Sequence, residues 1–349
     1  MARRRAQAMR SRDGDALGAF LPAVAAWFRA TFGEPTPPQR QGWPAIAAGQ
    51  HTLICAPTGS GKTLAAFLAG LDHLWRMPRQ AKGVRIVYVS PLKALGNDIH
   101  RNLQVPLEGI LATSRQLGAP LEPLSVAVRT GDTPAAERQR LVRRPPDILI
   151  TTPESLHLLL TSRARDTLRS VSHVIVDEIH ALASNKRGVF LALLLERLAA
   201  LNPGDWVRIG LSATLRPLDE VARYLGGLRK VAGEDGAARF EPRPVTIIDA
   251  GQRKDLDLEV ALPAPAIGPA QGLVWPAIER RLLELIRAHR STIVFANNRR
   301  VVERLAANLN ELAESEFSPR SLGRGAGGEG LTTDPQEAPS TFTPALSQG

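Results

Sequence analysis

Two pairs of side chains in this chain are of the types that handle phosphate. The first is Lys62-Thr63, an amine and a hydroxyl directly after Ala56-Pro57-Thr58-Gly59-Ser60-Gly61. Gly59 and Gly61 let the backbone curl so that its N–H groups point at phosphate oxygens. Lys62 then reaches the β- and γ-phosphates, and Thr63 places its hydroxyl on Mg²⁺. The pattern G-x-x-x-x-G-K-[ST] is met if Ala56 stands in for the first glycine. A plain Gly-rich turn is the alternative, but it gives an adjoining lysine and threonine no purpose. The second pair is Asp177-Glu178, which closes the β-branched run Val174-Ile175-Val176 and precedes His180 by two residues. Burying two carboxylates together is costly unless a cation is present. With a phosphate loop in the same sheet, that cation is Mg²⁺. Asp177 would hold the metal, directly or through water, and Glu178 would orient and deprotonate an attacking water. A solvated strand-end turn explains the carboxylates alone but not their pairing with Lys62.

Two weaker signals accompany them. Ser212-Ala213-Thr214 follows Leu211, with two hydroxyls able to bridge to His180 and so pass on the state of the nucleotide. Gln39 carries both an amide donor and an acceptor, which suits the edge of an adenine ring. A polar residue starting a helix fits Gln39 equally well.

These groups need a scaffold that brings them to one place. The apolar run Thr52-Leu53-Ile54-Cys55 enters the phosphate loop and a helical pattern over 64–75 leaves it. Further strands are expected at 85–90, 125–129, 147–151, 173–177 and 207–211, with helical patterns at 92–103, 134–142, 154–160 and 189–201. Strands separated by helices imply right-handed βαβ units, hence an α/β fold with a parallel sheet covered on both faces. Ligands of such sheets bind at the carboxyl ends of the strands.

Composition sets wider bounds. A chain of 349 residues is long enough for two domains. At 44% hydrophobic it is not globally disordered. The net charge of +10 favours a polyanionic partner, although an arginine-rich composition alone also produces basicity. One cysteine excludes an internal disulfide framework and fits a reducing compartment. Arg3-Arg4-Arg5 and the apolar stretch 17–28 have the outline of a signal peptide. Asp13 and Asp15 interrupt it, however, and Leu17, Phe20, Leu21, Val24 and Phe28 recur at helical spacing, so an amphipathic helix is expected. No run approaches the length of a membrane span, so the expectation is a cytoplasmic protein without a membrane partner.

Taken in order, Gln39, Ala56–Thr63, Asp177–His180 and Ser212–Thr214 resemble the motifs of a superfamily 2 nucleic-acid helicase of the DExH type. Pro91-Leu92-Lys93-Ala94-Leu95, Arg129-Thr130-Gly131-Asp132-Thr133, Thr152-Pro153-Glu154-Ser155 and Asn185-Lys186-Arg187-Gly188 are similar to the Lhr (long helicase-related) subgroup. The resemblance implies a RecA-like P-loop domain and the beginning of a second, with ATP and Mg²⁺ as ligands. It makes Lys62, Thr63, Asp177, Glu178 and His180 catalytic, 56–63 and Gln39 ATP-binding, and Ser212, Ala213 and Thr214 coupling residues. It lines a single-stranded nucleic-acid track, DNA favoured over RNA and read 3′→5′, with Pro91, Leu92, Lys93, Arg129, Gly131, Asp132, Thr152, Pro153 and Glu154. Thr152 adds a physical reason: as an N-cap before Pro153 it leaves helix N–H groups pointing toward a phosphate. Lys93 and Arg129 add charge, although an ordinary solvated surface position fits any one of these residues as well.

The expected organisation is a basic arm (1–15), a first RecA-like domain (16–225), a linker (226–275) carrying a short strand or two and the apolar run 245–248, the incomplete start of a second domain (276–314) and a disordered tail (315–349). In the fourth segment a strand is expected at 292–295, and Ile293-Val294-Phe295-Ala296 with Asn297 and Arg299 resembles the first motif of the second domain. The tail, rich in Gly, Pro, Ser and Thr, suggests truncation by a frameshift or an inserted repeat. An arginine supplied across a nucleotide cleft is worth roughly 10³–10⁵ in rate. Without it the chain is expected to bind Mg-ATP but turn over slowly, or to await a partner protein supplying the second domain. The alternatives are an ATP- and nucleic-acid-binding module without useful catalysis, and an unrelated P-loop enzyme. Asp177–His180 and Ser212–Thr214 argue against the last.

Overall fold

Short β-branched runs separated by helices build one parallel sheet. The computed structural model describes residues 15–77, 83–202, 204, 206–213, 216–232, 238–251, 257–261 and 274–317. The chain divides into two units, Met1–Lys254 and Asp255–Gly349. Thr214, the arm before residue 15 and the tail from 318 lie outside the described residues.

In the first unit, α1 (Pro22–Phe32) and α2 (Pro37–Ala47) precede β1 (Thr52–Cys55) and α3 (Lys62–Arg76). There follow β2 (Ile86–Val89), α4 (Lys93–Gln116), β3 (Val126–Arg129), α5 (Ala135–Arg143), β4 (Ile148–Thr151) and α6 (Pro153–Leu160). A 3-10 turn (Arg163–Leu168) leads to β5 (His173–Val176), α7 (Ile179–Ala183), α8 (Lys186–Leu201), β6 (Val207–Ser212) and α9 (Leu218–Gly226). Last come β7 (Leu228–Ala232), β8 (Ala238–Pro242) and β9 (Thr246–Asp249). The sheet runs β3-β4-β2-β5-β6-β1-β9, with every pairing parallel. The α/β class and the parallel sheet expected from the sequence are both present.

Alternation along each strand makes two cores. Ile54, Ile86, Tyr88, Ile150, Ile175 and Ile209 face α1 to α4, where Val24, Trp43, Leu68 and Leu107 are buried with them. Leu53, Val87, Leu149, Val174 and Val176 face the other way, onto Leu156, Ile179, Leu195 and Leu225 of α6 to α9. Such strands, buried on both sides, are apolar throughout.

The elements depart from expectation in four places. The amphipathic stretch begins as a turn carrying buried Leu17, and its helix starts only at Pro22, whose fixed φ suits a first helical position. Helix α4 runs on to Gln116 through Pro106. The short strands expected in the linker are present as β7 and β8, an antiparallel ribbon, but β9 departs from a linker by pairing with β1 as the seventh strand of the sheet. The apolar run before residue 249 buries Ile248 there, so the first unit extends past residue 225. In the second unit, α10 (Val274–Ala288) and α11 (Arg299–Phe317) pack through Leu283, Leu305 and Leu309, with Asn308 donating to Glu279. The strand expected at 292–295 does not form among the described residues. Ile293 and Phe295 stay 80% and 89% exposed, since a strand needs a neighbour to satisfy its backbone.

The amino ends of the strands carry a charged network away from the motifs. Fully buried Arg208 donates to Glu196 and to the carbonyls of Leu225 and Gly226, and Arg243 clasps the same Glu196. Replacing Glu196 by Ala leaves Arg208 buried without its counter-charge, and urea unfolding should show a loss of roughly 1–3 kcal/mol. Nearby, His51 accepts the Arg208 N–H, and burial, then Arg208 and Arg243, push its pKa down to about 4. Burial, then His73, pushes His173 down to about 3. Both imidazoles titrate near 6.5 once unfolded, so below that pH the unfolded chain takes up protons that the folded one refuses. Stability is therefore full above pH 6.5 and falls as the pH drops toward the folded values. The acid-side fall in melting temperature between pH 6.5 and 4 should be shallower in His51→Asn, whose amide oxygen accepts the Arg208 N–H without titrating. An unchanged slope would count against this account.

Candidate nucleotide and nucleic-acid site

The expected phosphate loop leaves β1 at the carboxyl edge of the sheet. Ala56 is fully buried, and its N–H continues the ladder to the carbonyl of Ser212 at 3.1 Å. Its backbone does not enter the left-handed region, which is why alanine serves where the pattern has glycine. Gly59 and Gly61 do enter it, with φ of 81° and 83°. Lys62 is 5% exposed, and among the described residues its ammonium hydrogen-bonds only to the Pro57 carbonyl, at 3.5 Å. The Ser60 hydroxyl is buried without a partner among the described residues. A shielded ammonium and an orphaned hydroxyl beside backbone N–H groups fit a phosphate chain.

Gln39 lies over this loop. Its Oε1 accepts the Thr36 N–H at 2.9 Å, starting α2, and its Nε2 donates to the Gly61 carbonyl at 3.3 Å. The helix-starting reading is what the geometry displays, and the same amide touches the phosphate loop. A Cβ on Gly61 would come within 2.6 Å of Gln39 Nε2.

The carboxylates emerge from β5, two strands from β1. Asp177 is 6% exposed; Tyr88 donates its phenolic O–H to Oδ2, and the Glu178 N–H donates to Oδ1 at 2.9 Å. Both oxygens are thus oriented, with lone pairs left for a metal. Thr63 and Asp177 are the groups able to hold Mg²⁺, which takes one or two carboxylates and completes its shell with phosphate and water. Glu178 has φ 46° and ψ 42°, an uncommon conformation for a residue with a Cβ. From there its carboxylate lies 3.3 Å from His180 Nε2. His180 Nδ1 accepts the Ala213 N–H at 3.3 Å and lies 3.4 Å from the Ser212 hydroxyl. With Nδ1 accepting, the ring proton sits on Nε2, facing Glu178. Glu178, His180, Ser212 and Ala213 thus form one connected chain.

The residues expected to line a nucleic-acid track occupy the other half of the same edge. Pro91, Leu92 and Lys93 follow β2; Gly131 and Asp132 follow Arg129 at the end of β3; Thr152, Pro153 and Glu154 follow β4. Lys93 pairs with Asp132 at 2.7 Å. Arg129 is buried with Nη1 unpartnered among the described residues, and burial, then Arg138, lowers its pKa. Thr152 accepts the Ser155 N–H at 3.4 Å, and Pro153 opens α6. The sequence did not reveal the parts that three residues play. Tyr88 reads as an ordinary strand residue, and Arg138, which binds the carbonyls of Gly131 and Thr133, as a helix-surface charge. Arg187, which joins Glu154 to Pro91, carried no local signal beyond its motif.

Comparison with known proteins shows the family. The family model for DEAD/DEAH box helicases matches residues 36–221, more than half of the chain. The chain belongs to the DEAD/DEAH box helicase family. Within this helicase family it is 48% identical to the Lhr helicase and probable uracil glycosylase of Mycolicibacterium smegmatis, over 87% of this chain and 19% of that protein. It is 50% identical to the Lhr helicase/uracil glycosylase of Escherichia coli, over 84% of this chain and 20% of that one. The solved Mycobacterium smegmatis helicase Lhr, bound to ssDNA and AMP-PNP, aligns with TM-score 0.72 at 47% identity, over 87% of this chain and 37% of that chain. The RecA-like fold follows. The chain spans about a fifth of the length of those two bacterial relatives.

The Gly61–Gln39 packing is directly testable. Gly61→Ala places a Cβ both in a left-handed residue and against Gln39, and the backbone term alone costs roughly 1–2 kcal/mol. Adding Gln39→Ala removes the collision and leaves the backbone term. In urea unfolding the double variant should therefore lose less than the two single losses added together.

Proposed function

We propose that this chain is the ATP-binding part of an Lhr-type helicase or translocase that couples Mg-ATP hydrolysis to movement along single-stranded nucleic acid, DNA in preference to RNA and 3′→5′. The observation that carries this is the division of one sheet edge. The phosphate loop, Asp177-Glu178 and Ser212-Ala213 end β1, β5 and β6, while the track residues end β2, β4 and β3. The similarity to a helicase solved with ssDNA supports the choice of DNA.

In this reading the loop N–H groups and Lys62 bind the triphosphate, and Gln39 fixes the loop. Thr63 and Asp177 hold Mg²⁺, which supplies charge neutralisation on the phosphate oxygens. Glu178 accepts a proton from the attacking water, held in place by its unusual backbone. His180 then senses the charge on Glu178 and transmits it to Ser212 and Ala213. The track residues contact the strand mainly through its phosphates. A second reading, an ATP- and nucleic-acid-binding module whose turnover needs an arginine from elsewhere, draws on the second unit. Its described residues are two helices without a strand.

The test is ATP turnover by the purified chain with and without single-stranded DNA or RNA, beside Lys62→Ala. Lys62→Ala should abolish binding of a fluorescent ATP analogue, since the shielded ammonium is the loop's own cation. DNA-stimulated turnover that disappears in the variant supports the motor reading. Nucleotide binding without stimulation supports the second. Equal nucleotide binding by wild type and Lys62→Ala would sink both.

A further inference from the structure

One cation on the strand-facing half of the edge has no assigned task. Arg187, the second residue of α8, donates from Nε to Glu154 Oε1 at 2.8 Å and from Nη2 to the Pro91 carbonyl at 2.9 Å. These acceptors belong to the first turn of α6, just after β4, and to the loop after β2, so one planar group spans the ends of two adjacent strands. Its side chain is 43% exposed, and Nη1, with two N–H donors, has no partner among the described residues. A half-exposed ion pair adds little to stability, so fold maintenance does not account for the arrangement. Other cations here are differently engaged: Lys93 is paired with Asp132, and Arg138 closes its own loop on Gly131 and Thr133.

Glu154 has the complementary problem. Its carboxylate stands in the first turn of α6, where a phosphate would meet both favourable N–H groups and an unfavourable negative charge. Burial would raise its pKa, but hydrogen bonds from Arg187, its own N–H and the Thr152 hydroxyl outweigh that, so it stays ionised and is neutralised by Arg187.

We propose that Arg187 is a phosphate-contacting residue of the single-strand path, held side-on by Glu154 and Pro91 so that its Nη1 donors are presented to one backbone phosphate. The proposal rests on the reading above that this edge carries single-stranded nucleic acid. Pre-orientation matters because a guanidinium already fixed by two acceptors loses less freedom on binding. A lysine cannot hold both acceptors and a phosphate in one plane. Arg187 also begins the helix that follows Glu178 and His180, so a phosphate contact there connects the strand to the carboxylate loop through few residues.

The experiment is fluorescence anisotropy of a labelled oligo-dT strand over a sodium chloride series, with the whole chain. Loss of one phosphate contact should lower the magnitude of the slope of log K against log salt by roughly 0.7. Arg187→Ala is expected to show that drop and weaker binding. Arg187→Lys should keep part of the slope without recovering the affinity. Arg169→Ala, which removes a surface cation paired with Asp166 near the amino end of β5, should match wild type. Fluorescent ATP-analogue binding checks each variant for an intact fold. If Arg187→Ala keeps the wild-type slope while wild type binds, the proposal is overturned and the strand reading stands. If wild type shows no salt-dependent binding, the strand reading itself fails, and this proposal with it.

Discussion

Parallel strands all end at the same edge of their sheet, and the chemistry of this chain depends on which strands are neighbours there. With the order β3-β4-β2-β5-β6-β1-β9, the residues suited to a triphosphate gather on β1, β6 and β5, and those suited to a polyanionic strand on β2, β4 and β3. The halves meet at the β2–β5 pairing, where Tyr88 bonds to Asp177 and Arg187 reaches the carbonyl after β2. No long-range wire is needed. The two candidate sites are joined through adjacent backbone strands and a few hydrogen bonds.

The halves differ in solvation as their proposed tasks require. Lys62, Asp177 and Ser212 are shielded, where electrostatic interactions are strong and stray water is excluded. Lys93, Asp132, Glu154 and Arg187 stand largely exposed, each by two fifths or more of its side chain, where contacts to a sliding phosphate backbone form and break cheaply. Glu178 lies between these regimes, its carboxylate partly exposed and its backbone held in a left-handed turn.

Much of this was legible in residue order. Val174-Ile175-Val176 and Ile148-Leu149-Ile150 are apolar without alternation because both their faces are covered, and such runs mark parallel strands. The phosphate loop was legible because its glycines answer a backbone requirement that other residues meet poorly. The apolar run of β9 was legible as a short strand but its place was not, since nothing local to it says that it pairs with distant β1 as part of the main sheet. Gln39 could be read two ways because an amide caps a helix and meets a ligand with the same atoms. The segment 292–295 has strand composition, but composition cannot supply the neighbour that a ladder needs. Arg187 was invisible as a bridge because its acceptors lie far away in sequence.

Strand β1 is flanked by β6 and β9, whose residues opposite Ile54 are Leu211 and Ile248. The element that carries the phosphate loop is thus made early on the ribosome, yet it acquires its neighbours only after most of the first unit has been synthesised. Chains emerge at about 5–20 residues per second, so this apolar strand spends many seconds with both edges open. Until β6 and β9 arrive, the nascent chain presents its most aggregation-prone edges and has no closed nucleotide loop. The last short strand of the unit therefore acts as the clasp of its oldest part, and nucleotide would become a folding ligand only once that clasp is shut.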